Sequence, residues 1–239
     1  MSAIVVIPAR LASTRLPRKM LRPIAGKPLV GWTYEAARTC PLLADVIVAT
    51  DSPEIFGLCS QHAWKAQLTS SAHRSGTERV QEISNSVAAD IYINVQGDEP
   101  LVRPEQIAAL IDLMKHSDVE VGTLKTRCAP EEIRNPNAVK VVTEPGGRAL
   151  YFSRTTIPFD RDDSHPPYFK HLGLYAYRKS ALDRFVRWPE SLLERAEKLE
   201  QLRFLENGVS IHVTETPYDS VGVDTEDDLR KVEEILRGR

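Results

Sequence analysis

Short apolar runs alternate with amphipathic stretches through the first half of the chain. Residues 4–7 (Ile-Val-Val-Ile) are β-branched throughout and read as a buried strand, and residues 46–49 and 91–95 repeat that pattern. Between these runs, apolar positions fall at helical spacing over residues 29–39, 54–64 and 77–84. A further helix is expected over residues 106–115, with Pro104 near its first turn, where a missing amide hydrogen costs little. Strands alternating with helices imply βαβ units, a mostly parallel sheet and helices on both faces. After about residue 118 the character changes. Residues 119–125, 138–143, 150–152 and 171–177 are expected strands with short connections marked by Pro and Gly, which suits an antiparallel extension. A long helix is expected from Leu192 to Asn207, stopped by Gly208, followed by a strand over 210–214 and a last helix over 225–237. The expectation is an α/β, three-layer, Rossmann-like fold: one domain over residues 1–239, with a β subdomain at about 130–190.

Composition narrows the function classes. The chain has 239 residues and a formal net charge of -2, so nothing global argues for nucleic acid or a membrane surface as partner. No apolar run is long enough to span a bilayer, and the N-terminal one is too short for a signal peptide. Cys40, Cys59 and Cys128 match neither a zinc site nor a disulfide framework, so they are expected to be buried reduced thiols in a cytoplasmic protein. Positive charge is concentrated instead in the loop after the first strand: Pro8-Ala9-Arg10-Leu11-Ala12-Ser13-Thr14-Arg15-Leu16-Pro17-Arg18-Lys19. Loops at the carboxyl ends of strands are where α/β sheets bind ligands. Guanidinium forks and a lysine suit a polyphosphate. The glycines of a Walker loop or a dinucleotide fingerprint are absent, and a solvated basic loop is the plain alternative.

Acidic residues stand in two corresponding places. Asn94-Val95-Gln96-Gly97-Asp98-Glu99-Pro100 follows a buried strand, and a carboxylate there facing a phosphate loop is a natural magnesium ligand. Asp-Glu-Pro also reads as a simple turn. In Gly222-Val223-Asp224-Thr225-Glu226-Asp227 either Asp224 or Thr225 can cap the last helix, and Asp224 can also partner Asp98 at a metal. His73-Arg74-Ser75-Gly76-Thr77 is a polar turn entering a helix, where capping and reading of a nucleobase edge are both open. The six histidines have no zinc spacing, and no nucleophilic triad can be argued from order alone.

Ile7 to Arg10, Ser13 to Pro17 and Lys19 together resemble the opening loop of the sugar-activating cytidylyltransferases. Residues 94–100, 135–142, 149–154, 171–175, 199–203 and 222–225 are similar to one branch, the 3-deoxy-manno-octulosonate cytidylyltransferases (CMP-Kdo synthetases). The resemblance runs over essentially the whole chain. It implies a nucleotidyltransferase fold and transfer of CMP from CTP to the anomeric hydroxyl of Kdo, releasing pyrophosphate, for lipopolysaccharide biosynthesis. It implies that Arg10, Ser13, Thr14, Arg15 and Lys19 hold the CTP phosphates, while Pro8, Ala9, His73, Arg74, Ser75 and Gly76 frame cytosine and ribose. Asp98 and Asp224 would bind Mg2+, with Arg10 and Lys19 joining them as catalytic groups. Gln96, Arg154, His171, Tyr175, Glu200 and Gln201 would line the sugar pocket, and a homodimer is implied. Arg18 departs from the pattern, which commonly has glycine before the lysine. Related chemistry on 8-amino-Kdo or sialic acid, and a CTP-binding module without catalysis, are the alternatives.

Overall fold

A computed structural model describes residues 1–238. In chain order the elements begin with β1 (Ala3–Ala9), a 3-10 turn (Lys19–Leu21), β2 (Pro23–Ile24), β3 (Lys27–Pro28), α1 (Leu29–Arg38) and β4 (Asp45–Thr50). There follow α2 (Pro53–Gln61), β5 (Ala66–Leu68), α3 (Gly76–Ser86), β6 (Ile91–Asn94), α4 (Pro104–Leu113) and β7 (Val121–Arg127). The remainder is a 3-10 turn (Pro130–Glu132), β8 (Lys140–Thr143), β9 (Ala149–Ser153), β10 (Phe169–Tyr177), α5 (Lys179–Phe185), α6 (Leu192–Glu197), α7 (Leu202–Glu206), β11 (Ile211–Glu215) and α8 (Glu226–Arg237). The chain forms two compact units, one of residues 1–108 with the segment from Ser220 onward, the other of Ala109–Asp219.

The first unit carries a parallel sheet in the order β6-β1-β4-β5. Ile4 of β1 pairs with Tyr92 on one side and Asp45 on the other, so all strands run the same way and their carboxyl ends lie together. Every residue of β1 is buried, as a central parallel strand covered on both faces requires. Each large apolar side chain buried there stabilises the fold by about 1.5–3 kcal/mol. The long loop after β1 is tied down by Leu16. That side chain is fully buried against Ile24, Leu29, Leu101, Val223 and the α8 residues Leu229, Val232 and Leu236. The α8 residues recur at helical spacing and form its inward stripe.

In the second unit β7 pairs antiparallel with β10 and parallel with β11, while β8 pairs antiparallel with β9 and meets β10 at Lys140 and Lys170. The fold is therefore α/β, mostly parallel in its first part with antiparallel strands added later, as expected. A β-bulge between Leu172 and Tyr175 re-aims the end of β10. Phe204 stacks on Tyr177 and packs tilted against Phe185 in the core of this unit.

One expectation is corrected. The helix expected from Leu192 to Asn207 is two short helices, α6 and α7, broken at Lys198 in the left-handed region (φ 54°, ψ 47°). The apolar spacing runs on through Leu199 and Leu202, so periodicity alone conceals the break. What stabilises it lies outside the segment: the guanidinium of Arg154 donates to the carbonyls of Glu197 (2.7 Å) and Lys198 (3.3 Å), which a continuous helix would have used internally. The amide of Leu199 closes the turn onto the Glu194 carbonyl at 3.3 Å. Sequence reading also passed over β5 and α5, both short. Cys40 and Cys59 are buried free thiols, whereas Cys128 is half-buried rather than fully enclosed. Among the described residues no helix is long and apolar enough to cross a membrane.

Because Leu16 anchors the basic loop in the α8 cluster, Leu16→Ala should destabilise the protein by about 2–5 kcal/mol. Urea unfolding monitored by circular dichroism checks this; an unchanged midpoint would show that the loop is held elsewhere.

Candidate active site

The carboxyl ends of β1 and β6 bring the basic loop and the first acidic turn together, and the approach to α8 adds the second. Lys19, at the start of the 3-10 turn, is buried, and its ammonium pairs with Asp98 and, at 3.0 Å, with Asp224 Oδ1. Arg15 reaches the other oxygen of Asp224 at 2.9 Å. Burial pulls the Lys19 pKa down, but the two facing carboxylates outweigh it and hold the ammonium above the ordinary lysine value. The backbone joins the same partners: the Val223 amide donates to the Asp98 carbonyl at 2.9 Å. Thr225, not Asp224, caps α8, with its hydroxyl accepting from the Asp228 amide and Asp228 answering onto the Thr225 amide. Asp224 is thereby left to face the cations.

The turn after β6 has a tight fit. A Cβ on Gly97 would lie 3.0 Å from the Pro8 carbonyl oxygen and 2.9 Å from Met20 Sδ. The Gly97 carbonyl also accepts from the buried Thr33 hydroxyl at 3.0 Å, which fixes where Asp98 emerges. Pro8 faces Gly76 as well. A Cβ there would stand 3.2 Å from Gln96 Nε2, 3.4 Å from Asn94 Nδ2 and 3.4 Å from Pro8 Cγ. Gly76 opens α3, whose N-cap is Ser75, accepting from the Glu78 amide at 3.2 Å. Asn94, which sequence reasoning did not single out, is fully buried and its Oδ1 accepts from Gln96 Nε2 at 3.0 Å. Its position at the last residue of a buried strand was the signal available.

The remaining expected nucleotide residues are arranged around this core. Ala9 is buried at the end of β1, Arg10 and Ser13 are half-buried, and Thr14 is exposed. His73 lies between Glu82, to which its Nε2 bonds, and Glu78, 3.7 Å from its Nδ1, while the Arg74 side chain is exposed. Arg18 sits at φ 56°, the left-handed conformation that glycine adopts without strain, and its guanidinium pairs with Glu54 of α2 rather than with the acidic pair.

The expected sugar residues of the second unit form a separate set. His171 donates or accepts at 3.0 Å with Thr123 Oγ1 and packs edge-on to Phe152 and against Tyr175. Burial pushes its pKa down to about 3, so the ring is neutral at physiological pH. Burial likewise pushes the Tyr175 hydroxyl well above its usual range, so it stays protonated. Gln201 is buried and its Nε2 finds no hydrogen-bond acceptor within the described residues. Glu200 precedes it in the turn between α6 and α7, and Arg154 directly follows β9.

Asp98 and Asp224 supply hard oxygen donors converging on a single cation position, now taken by the Lys19 ammonium. Two carboxylates completed by phosphate oxygens and water suit Mg2+, so the residues fit that ion. Among the described residues no cluster of three or more His, Cys, Asp or Glu side chains offers a closed metal cage.

A parallel α/β sheet with cations and paired carboxylates at its strand ends has the make-up of a nucleotidyltransferase. The chain belongs to the cytidylyltransferase family, whose profile matches residues 4–211. A 3-deoxy-manno-octulosonate cytidylyltransferase from Koribacter versatilis (strain Ellin345) is 65% identical over 238 residues, 99% of this chain and 91% of that protein. A CMP:2-keto-3-deoxy-manno-octonic acid synthetase solved in complex with CTP superposes with a TM-score of 0.96 at 41% identity, covering 100% of this chain and 99% of the other. A cytidylyltransferase from Leptospira borgpetersenii serovar Hardjo-bovis (strain JB197) shares the fold at a TM-score of 0.66 and 15% identity, covering 100% of this chain and 88% of that one.

The glycine geometry separates a site position from a helical one. Gly97→Ala, which forces Pro8 or Met20 to move, should cost about 1–3 kcal/mol of stability. Gly57→Ala, inside α2 with nothing within 4 Å of the added methyl, should gain about 0.5–1 kcal/mol. Paired urea titrations check the contrast, and equal effects would remove the packing argument for Gly97.

Proposed function

We propose that the protein transfers the CMP group of CTP to the anomeric hydroxyl of 3-deoxy-D-manno-octulosonate, releasing pyrophosphate. The observation that carries this reading is the convergence of Lys19, Arg15, Asp98 and Asp224 at the strand ends of a cytidylyltransferase fold. The relative solved with CTP and the 65% identical relative support the nucleotide and the acid sugar respectively.

In this reaction the sugar oxygen forms a bond to the α-phosphorus while the bond from that phosphorus to pyrophosphate breaks, and the hydroxyl proton is lost. The barrier falls mainly through alignment and neutralisation of charge. Arg10, Arg15 and Lys19 neutralise the triphosphate, with Ser13 and Thr14 as hydroxyl donors to its oxygens. Pro8, Ala9 and the turn from His73 to Gly76 frame the nucleoside. Asp98 and Asp224 would hold magnesium, and the chemistry such an ion would supply there is polarisation of the α-phosphate and a lowered pKa of the attacking hydroxyl. Gln96, Arg154, His171, Tyr175, Glu200 and Gln201 recognise the sugar. A protonated Tyr175 can donate one hydrogen bond to a hydroxyl or carboxylate, and a neutral His171, whose single N–H faces Thr123 while the Thr123 hydroxyl donates to the Leu174 carbonyl, can accept one from a sugar hydroxyl, neither adding charge. A homodimer working in the cytoplasm, in lipopolysaccharide biosynthesis, is part of the same reading.

Pyrophosphate release from CTP, measured with Kdo, 8-amino-Kdo and sialic acid in parallel, tests the proposal. Release is expected with Kdo, is expected to stop with EDTA, and should fall by about 10²–10³ in Asp98→Asn or Asp224→Asn. Release with a different acid sugar alone would move the substrate assignment. Near-normal turnover in either Asn variant would remove the metal assignment.

A further inference from the structure

Lys140, the first residue of β8, is fully buried, and each of its three N–H donors has a backbone carbonyl to meet: Asn135 at 2.8 Å, Ala138 at 2.6 Å and Arg154 at 2.8 Å. An ammonium is costly to bury, and charge-assisted bonds to several carbonyls are what make it tolerable. The third acceptor matters most. Arg154 is itself a hub: its Nε donates to the Glu197 carbonyl at 2.7 Å, Nη1 to Pro136 at 3.1 Å and Nη2 to Lys198 at 3.3 Å. The Glu197 carboxylate answers from the far side, accepting from the Arg154 amide at 2.9 Å and from the Ser153 hydroxyl at 2.6 Å.

The turn at 135–138, the end of β9 and the helix break at Lys198 are therefore tied through two cations. The Lys198 carbonyl would otherwise be left without a helical partner, and two and three residues further on stand Glu200 and Gln201. The Gln201 side-chain amide is buried and without an acceptor, as a donor awaiting a ligand would be. A continuous helix over this stretch would put both side chains elsewhere.

The geometry points to Lys140 as a positioning residue that, through Arg154, holds the Lys198 break and so presents Glu200 and Gln201 to the acid sugar. This rests on the function proposed above. Arg154 thereby acts first on the backbone. Three of its N–H donors are engaged there, so its effect on the sugar runs at least partly through the segment it clamps.

Two readouts on full-length Lys140→Met test the proposal. In steady-state kinetics the KM for Kdo should rise about tenfold or more while the KM for CTP stays within about twofold, since displaced binding groups can cost up to about 10². In hydrogen–deuterium exchange, residues 197–203 should exchange faster while β11 does not. The double variant Lys140→Met/Arg154→Met should have a kcat/KM for Kdo no lower than Arg154→Met alone, because the two act in series. Additive losses, equal rises in both KM values, or unchanged exchange at 197–203 would overturn the proposal. If Lys140→Met does not fold, Glu197→Ala opens the same clasp from its other side, and an unchanged KM for Kdo in that variant overturns it equally. Failure of the substrate reading is distinct, since it would appear as wild-type inactivity with Kdo while the exchange result still stands.

Discussion

A single ammonium holds together three parts of the chain that are distant in sequence. Lys19 lies in the loop after the first strand, Asp98 follows the fourth parallel strand's turn 79 residues later, and Asp224 precedes the final helix, 205 residues from the lysine. Two carboxylates at such close quarters repel one another unless a cation stands between them. Lys19 supplies that cation, and the carboxylates in turn keep the buried lysine charged against the pull of desolvation. Each group makes the other's position tolerable. The rest of the first unit serves this arrangement: Leu16 pins the loop on α8, Thr33 fixes the Gly97 carbonyl, and Thr225 caps the helix so that Asp224 does not.

The arrangement also accounts for its chemistry. Cations beside paired carboxylates form a site balanced in charge before any substrate arrives. On the proposed function, a nucleoside triphosphate with a divalent ion would bring the same charges in complementary order: anionic oxygens for Arg15 and Lys19, a cation for Asp98 and Asp224. Ligand entry would then exchange partners rather than create unpaired charge in a partly buried place. The second unit meets a different demand with different means. Its His171 and Tyr175 are held neutral by burial, and its cations, the buried Lys140 and the half-buried Arg154, are spent on backbone carbonyls.

Much of this was legible in the residues. The β-branched run at residues 4–7, the charges from Arg10 to Lys19 and the carboxylates after strand-like or loop segments pointed to the sheet and to the acidic–basic meeting at its strand ends, because local patterning and strand-end placement are sequence properties. The choice between Asp224 and Thr225 as cap was not settled by sequence, since both residue types are common caps and only the reciprocal bonds of Thr225 with Asp228 decide. The break at Lys198 was hidden for a similar reason. Its cause is Arg154, more than forty positions away in the chain, and no periodicity in residues 192–207 reports a bond made from outside. Asn94 and Lys140 lay within blocks that carry the resemblance but received no role of their own, because a polar residue in an apolar strand declares its partner only in three dimensions.

The claim that Lys19 occupies the position a divalent cation takes between Asp98 and Asp224 can be measured without any turnover. Thermal unfolding of the wild type and of Lys19→Met, each titrated with MgCl2 in the absence of nucleotide, compares the two cations directly. The account predicts a larger rise in melting temperature for Lys19→Met, because there magnesium meets two uncompensated carboxylates and need not displace an ammonium. A rise equal to or smaller than that of the wild type would contradict it, and would mean that the lysine and the metal do not compete for one place.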